Sequence, residues 1–304
     1  MSKRSALLET VVGTSFWGLS GTASQTLFEL YHFPVLALAF ERMMISGLIL
    51  LAVLRPNLPR TRTLIFKVVA IALFGFVGTQ VFYLVAIQYT NAPTATLLQF
   101  LFLPMVAAYE ALTGTLRWSR RWTAILCFAA LGTVLLIGAF SVSGFGILIT
   151  PIGLVSGLLA GVCAAYYSLA SRKIVREQGP WWLLTWGFII GGIATSPLGI
   201  LYISNYTVTA NSLISILALV SFVTIFGTIL SFGLYLSGLR RLAASEIAVV
   251  ASLEPIAAAV ASYVFLGNVL DPIQYVGGGI IVIAVILSAS KPEGRSITNR
   301  ISKS

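Results

Sequence analysis

Four ionisable residues, Glu41, Arg42, Glu110 and Glu254, stand inside runs that are otherwise apolar. In a lipid interior such a group costs about 2.5–3.5 kcal/mol on insertion-type scales, so it needs a partner or a water-lined surface. The chemistry open to it is binding an opposite charge, relaying a proton, or clamping one helix to another. Glu41 and Arg42 are neighbours, and neighbours on a helix do not face each other. Arg42 is therefore expected to meet a carboxylate or carbonyl of another helix, as a structural clamp or as an anion site at a cavity edge. Glu110 lies off the face shared by Pro104, Ala108 and Ala111, which turns it toward a neighbouring helix, with Arg42 as one candidate partner. Glu9 and Glu246 stand nearer the ends of their runs, where water can reach them.

Pro104 and Pro255 each remove a backbone donor and so free a carbonyl one turn earlier, Phe100 and Ala251 respectively. Either proline could be a packing kink or a hinge with a carbonyl turned to a ligand. Trp17, Tyr83, Tyr167 and Tyr235 bring aromatic surface, and Gln99 brings an amide. With Glu254 they suit a pocket for an amphipathic organic molecule, which needs apolar walls and a few polar groups. The plain alternative for each ring is a lipid-facing or interfacial position. Trp181, Trp182 and Trp186 fit an interfacial belt better than a binding site.

The elements that carry these residues follow from composition. Of 304 residues 58% are hydrophobic and only 9% charged, with mean hydropathy +0.97. Soluble domains carry roughly 25% charged residues, so this chain is an all-α integral membrane protein. Apolar runs near 7–27, 34–54, 66–88, 93–115, 121–140, 149–170, 181–202, 213–237, 245–266 and 272–290 predict ten transmembrane helices. Ten spans of about 20 residues take about two-thirds of the chain and leave no room for a soluble domain.

The net charge of +10 is a topology signal rather than a mark of nucleic-acid binding. Lys3 and Arg4, the 55–67 connection, the 117–121 connection, the 172–176 connection, Arg240–Arg241 and the tail 291–304 hold nearly all the Lys and Arg. The alternate loops 28–34, 88–93, 141–148, 203–212 and 267–272 hold none. By the positive-inside rule both termini, the basic tail included, are expected in the cytoplasm of a multi-pass cell-membrane protein. The one glycosylation-type triplet, 205–207, falls on the outer side. Residues 3–24 also resemble a signal peptide, but a matching element in the second half favours an uncleaved first span.

The two halves repeat. FYLVAIQYTNAPTATLLQFLFLP (82–104) parallels FGLYLSGLRRLAASEIAVVASLEP (232–255), and Pro104 corresponds to Pro255. The predicted units are 5–140, with spans one to five, and 147–290, with spans six to ten. Five spans is an odd number, so the halves cross in opposite senses, an inverted-repeat architecture common among transporters.

The phrase GLRRLAASEIAVVASLEPIAAAVASYVFLGN (238–268) resembles the closing motif of EamA-like carriers of the drug/metabolite transporter superfamily. AIQYTNAPTATLLQFLFLP (86–104), Trp17–Gly18, FER (40–42) and AAYYSLASRK (164–173) resemble other parts of that family's pattern, and the likeness spans nearly the whole chain. The resemblance implies two inverted five-span repeats around a central cavity lined by spans one, three, four, six, eight and nine, with many members exporting amino acids, metabolites or drugs. The family's closing Gly-Glu pairs are absent: Leu116–Arg117 and Gly267–Asn268 stand in their places, so no role passes to those glutamates.

The expected function is secondary transport of a small organic solute, amino-acid-like or amphipathic, by alternating access in the outward direction, with proton coupling through Glu254 or Glu110 as one option. A channel is the alternative, and a lipid-modifying enzyme is less favoured. No GxxxxGK[ST] segment supports ATP-driven pumping. One histidine, His32, and two distant cysteines, Cys127 and Cys163, supply no metal or haem ligand set, so no cofactor is expected. Both cysteines are read as small buried hydrophobes rather than a disulfide.

Overall fold

The computed structural model describes residues 3–90, 92–136, 150–208, 210–266 and 272–289, all helix and short connections. Spans one and two are Lys3–Tyr31 and Val35–Leu54. Span three runs Arg62–Tyr89 and span four is split into Ala92–Gln99 and Phe102–Leu112. Span five is Arg120–Leu136, span six Pro151–Gln178 and span seven Pro180–Ser204. Span eight runs Ala210–Leu239, span nine is split into Ala244–Ala251 and Glu254–Leu266, and span ten is Pro272–Ala289. The loop 141–148, the Gly267–Asn268 pair, the tail 291–304 and the predicted unit limits at 140, 147 and 290 lie outside the described residues.

Both repeats bend at the same places. The fourth and ninth spans break just before their prolines, at Phe100–Leu101 and Ser252–Leu253. A proline ring excludes the carbonyl four residues back, so the turn ahead of it tightens. The Leu103 amide reaches Phe100 O at 3.0 Å, and the Ser252 and Leu253 amides reach Val249 and Val250. The carbonyl expected to be free at Phe100 is thus taken, because a three-residue turn supplies the donor that the proline removed.

The third and eighth spans each carry a π-helical segment, Ile71–Val77 and Ile225–Leu230. Such widened turns leave a helix bulging and recur at functional sites. Each π segment meets the first span of the opposite repeat through a glycine. A methyl on Gly75 would lie 2.6 Å from Tyr167 Cβ, and one on Gly227 would lie 2.0 Å from Ser20 Oγ. Side chains at either position would push the bulge off its neighbour.

The halves are interleaved rather than side by side. Span one crosses spans eight and nine, span six crosses spans three and four, and spans two and seven zip together, as do five and ten. Small residues let backbones approach where lipid offers no hydrophobic drive between helices. Gly18 makes the closest approach to another helix's backbone among the described glycines: an added Cβ would lie 2.4 Å from Glu254 O and 2.7 Å from Ala258 N. Gly279, with nothing within 4 Å, is the natural control. Overpacking typically costs about 1–3 kcal/mol. Gly18→Ala is therefore expected to lower the thermal midpoint of the detergent-purified protein by several degrees while Gly279→Ala leaves it in place, read by intrinsic fluorescence.

Helices run further than the apolar windows suggest. Arg172, Lys173 and Arg176, expected in a connection, ride on the last turns of span six, and Lys67 lies on the first turns of span three. Long cationic side chains can carry their charge past the lipid boundary while the helix continues beneath them. Cys127 is exposed, not buried, and Cys163 is half-buried with its Sγ beside Gly78; both are free thiols.

Candidate functional site

The carboxylate at Glu110 is the most heavily bonded polar group in the core. It receives Arg172 Nη1 at 3.0 Å, the Ala244 amide at 3.0 Å, the Ser245 amide at 3.1 Å and the Ser245 hydroxyl at 2.5 Å. The first amides of span nine have no partner within their own helix, so an acceptor at this end caps the helix and meets its positive dipole. Glu246 adds to the same end, accepting the Ala243 amide at 3.0 Å and pairing with Lys3 at 2.8 Å. Charged groups thus fasten spans one, four, six and nine at the basic-loop end. The expected Glu110–Arg42 pair does not form. Pro104 and Ala108 are exposed while Glu110 is buried, so Glu110 does face a neighbouring helix, but that neighbour is span nine.

Arg42 takes the carbonyl option. Its Nε donates to Thr228 Oγ1 at 2.8 Å and its Nη2 to Gly227 O at 3.1 Å. Both acceptors belong to the π segment of span eight, where the bulge turns a carbonyl outward. Span two therefore clamps the bulge, and Ser46 reaches Thr224 O at 3.4 Å from the same helix. At the matching contact of the other repeat the partners are apolar: Phe76 of the π segment packs on Phe188 with centroids 5.4 Å apart. The charge belongs to one half only.

The aromatic candidates converge. Trp17 packs on Tyr235 with centroids at 5.0 Å and on Phe232 at 4.9 Å, and Tyr167 lies 5.7 Å from Tyr235. The Ser168 hydroxyl donates to Ala164 O at 2.7 Å, so the 2.9 Å contact between Tyr235 and Ser168 runs from the phenol to the serine. Tyr83, six residues after the π segment, shares a 2.9 Å hydrogen bond with Thr96 of span four. The Gln99 carbonyl oxygen is buried with no partner among the described residues, as are Thr79 Oγ1 and Gln80 Nε2.

Glu254 stands at the break of span nine, 5% exposed. Its carboxylate lies within electrostatic range of Tyr83, Tyr167 and Tyr235, and Tyr83 lies in range of Arg42 as well. Among the described residues the Glu254 side chain has no hydrogen bond or ion pair. A buried carboxylate at the break of span nine, without a partner among the described residues and within electrostatic range of three tyrosines, forms a polar spot in an apolar core. Thr79 and Gln80 escaped notice in the sequence because a polar residue in a span has no local mark of its orientation; their spacing to Tyr83 on one helix face was the available signal. The tryptophans split. Trp182 and Trp186 both donate to Asn57 O, at 2.8 and 3.1 Å, and Trp181 packs against Gly233, so these rings bind span seven to its neighbours as well as marking an interface.

Among the described residues, the fastenings between spans at the opposite end are neutral. Gln25 Oε1 accepts the Ala92 amide at 3.0 Å, and the Thr150 hydroxyl donates to Tyr89 O at 2.9 Å. The Phe33 amide caps Leu27 O across left-handed His32.

Ten helices as two inverted five-helix repeats, with a polar spot beside paired helix breaks, define a multi-pass membrane transporter. Two stretches, 4–138 and 151–290, match the model of the EamA-like transporter family. The chain belongs to that family. It is 25% identical over 297 residues to the uncharacterized inner membrane transporter YicL of Salmonella typhimurium, covering 94% of this chain and 95% of that one. It is 24% identical over 292 residues to the transporter YwfM of Bacillus subtilis, covering 94% of each. Over 132 residues, 43% of each chain, it is 33% identical to the threonine/homoserine exporter RhtA of Escherichia coli. A solved crystal structure superimposes with a TM-score of 0.77 at 18% identity, over 94% of this chain and 97% of that one, which shows the shared fold. The proteins it resembles are transporters, not enzymes.

Proposed function

We propose that the protein is a secondary carrier that exports a small amino-acid-like solute by alternating access, with its basic-loop end and both termini in the cytoplasm. The observation that carries this reading is the buried Glu254 carboxylate, unpaired among the described residues and within electrostatic range of Tyr83, Tyr167 and Tyr235, the last of which packs on Trp17. An ammonium is attracted both by a carboxylate and by the faces of aromatic rings. The orphan Gln80 amide offers a donor for the carboxylate of a zwitterion, and the Gln99 carbonyl an acceptor for its ammonium or for a side-chain hydroxyl. The substrate of RhtA, named by its printed title, is of the same chemical kind. The outward direction is part of the proposal and is supported by the exporter name of RhtA. Among the described residues the basic-loop end is fastened by ion pairs and the opposite end by neutral hydrogen bonds, which supports two gates of unequal strength.

Arg42 and Glu110 hold the frame in this scheme, and Pro104 and Pro255 set the two breaks that flex around the site. The test is counterflow in proteoliposomes loaded with unlabelled threonine, homoserine or phenylalanine and exposed to trace label. Saturable uptake driven by the internal solute is expected for at least one of them. Flux that rises linearly with concentration would point to a channel. Absence of counterflow for every amino acid, alongside exchange of a quaternary ammonium dye, would remove the amino-acid reading.

A further inference from the structure

The geometry points to a second site, an anionic phospholipid site at the basic-loop end, in the cleft between the start of span three and the end of span six. This cleft has a volume of about 900 Å³, within the range of about 300–1,000 Å³ typical of small-molecule pockets. It lies away from Glu254: its walls are the first turns of span three, the last turns of span six, the connection around Asn57 and Trp182. Three independent features set its chemistry.

First, its rim is basic. Arg60, Lys67 and Lys173 line it, against one acid, Glu177. Lys173 shares Glu177 at 3.8 Å, and Arg60 and Lys67 are in no ion pair among the described residues. Second, the opening turn of span three, Thr61, Thr63 and Leu64, lines the same cleft. A helix start presents amides and a positive dipole, which favour a phosphate. Third, the wall changes character with depth. Tyr166 lies seven residues from Lys173, about 10 Å along the helix, and Ile71 lies about 6 Å beyond Lys67. Phe66, 76% exposed, flanks the opening, and Ala70, Ala170 and Ile174 complete an apolar wall. A soluble anion would use only the rim. A phosphodiester bearing acyl chains uses the rim and the wall together, and basic pockets between spans on the cytoplasmic side have this character. The occupant is therefore an anionic glycerophospholipid of the leaflet that adjoins the basic loops.

This inference rests on the cytoplasmic reading of the basic end. That orientation is read separately, from a green fluorescent protein fused after Ser304, which fluoresces only in the cytoplasm of a bacterial host. The site itself is tested with the full chain in detergent, titrated with dioleoyl phosphatidylglycerol or dioleoyl phosphatidylcholine, with bound lipid counted by native mass spectrometry. The first phosphatidylglycerol is expected to bind about tenfold tighter than phosphatidylcholine. Lys67→Gln with Lys173→Gln is expected to remove that preference and leave phosphatidylcholine binding in place. Both side chains are exposed, so the double variant folds as the parent does. Arg240→Gln with Arg241→Gln, at the same end but outside the cleft, is expected to keep the preference. Equal affinity for the two lipids, or an unchanged preference in the lysine variant, would overturn the site. Displacement of phosphatidylglycerol by millimolar glycerol 3-phosphate would replace the lipid with a soluble phosphate. A dark fusion with an intact lysine-dependent preference would reverse the orientation and leave the site standing.

Discussion

Glu254→Gln is expected to cut the rate of substrate exchange at least tenfold while leaving the folded protein as stable as before, or slightly more so. The side chain is buried, yet no residue among those described holds its carboxylate by a hydrogen bond or ion pair. A burial of this kind costs stability and is retained for another reason. Removing the charge deletes a charge-assisted contact to a bound ammonium, worth about 1.5–3 kcal/mol, which corresponds to roughly a tenfold to hundredfold loss. It also relieves a desolvation cost. The measurement is counterflow and thermal midpoint on the same preparation. Exchange within twofold of the parent would place the substrate elsewhere. A large fall in the midpoint would make Glu254 a structural group.

Glu110→Ala has the opposite signature. It leaves the Ala244 and Ser245 amides and the Arg172 guanidinium without their shared acceptor. Breaking a buried pair by deleting one partner costs about 3–5 kcal/mol, and loss of a helix cap adds about 1 kcal/mol. In a chain of this size that lowers the thermal midpoint by on the order of 10 °C. Arg172→Gln is expected to fall by less, because Arg172 is part-exposed and the two amides keep their carboxylate. Glu110→Gln should lie between the two, since an amide oxygen still accepts from span nine. The order Glu110→Ala, Glu110→Gln, Arg172→Gln in decreasing effect is what the fluorescence-monitored melts should return. If Arg172→Gln is the most severe, the ion pair rather than the cap holds this end together. The two carboxylates, both buried and both anomalous in an apolar run, thus separate into one bonded to span nine and Arg172 and one with no partner among the described residues.

That separation was not legible in the residues around them. Glu110 and Glu254 both follow or precede a repeat proline, and both stand among alanines. What distinguishes them is the partner, and the partners of Glu110 lie 62 and 134 residues away in sequence. The same holds for Arg42, whose acceptors lie 186 and 185 residues on. The π segments were equally hidden. A widened turn is one residue of slippage in the hydrogen-bond ladder, and IALFGFV and IFGTIL read as ordinary apolar helix. Gly75 and Gly227 gave only the hint that something must pass close by.

Other features were plain from the chain alone. Hydropathy separated ten spans because a lipid interior admits only stretches that satisfy their own backbone and carry apolar side chains. The prolines located the breaks in spans four and nine, since a missing amide and a clashing ring act on the residues next to them. The repeat followed from the parallel between 82–104 and 232–255, and an odd number of spans made it inverted. All of these are local consequences of solvent and backbone chemistry. The tertiary structure alone decided which polar side chains meet. Facing across helices depends on rotation, tilt and crossing point, which small residues such as Gly18 permit but do not specify. So the sequence determined the membrane, the ten helices and their bends, while packing assigned Glu110 to the frame, Arg42 to the bulge of span eight, and Glu254 to a buried position within electrostatic range of Tyr83, Tyr167 and Tyr235.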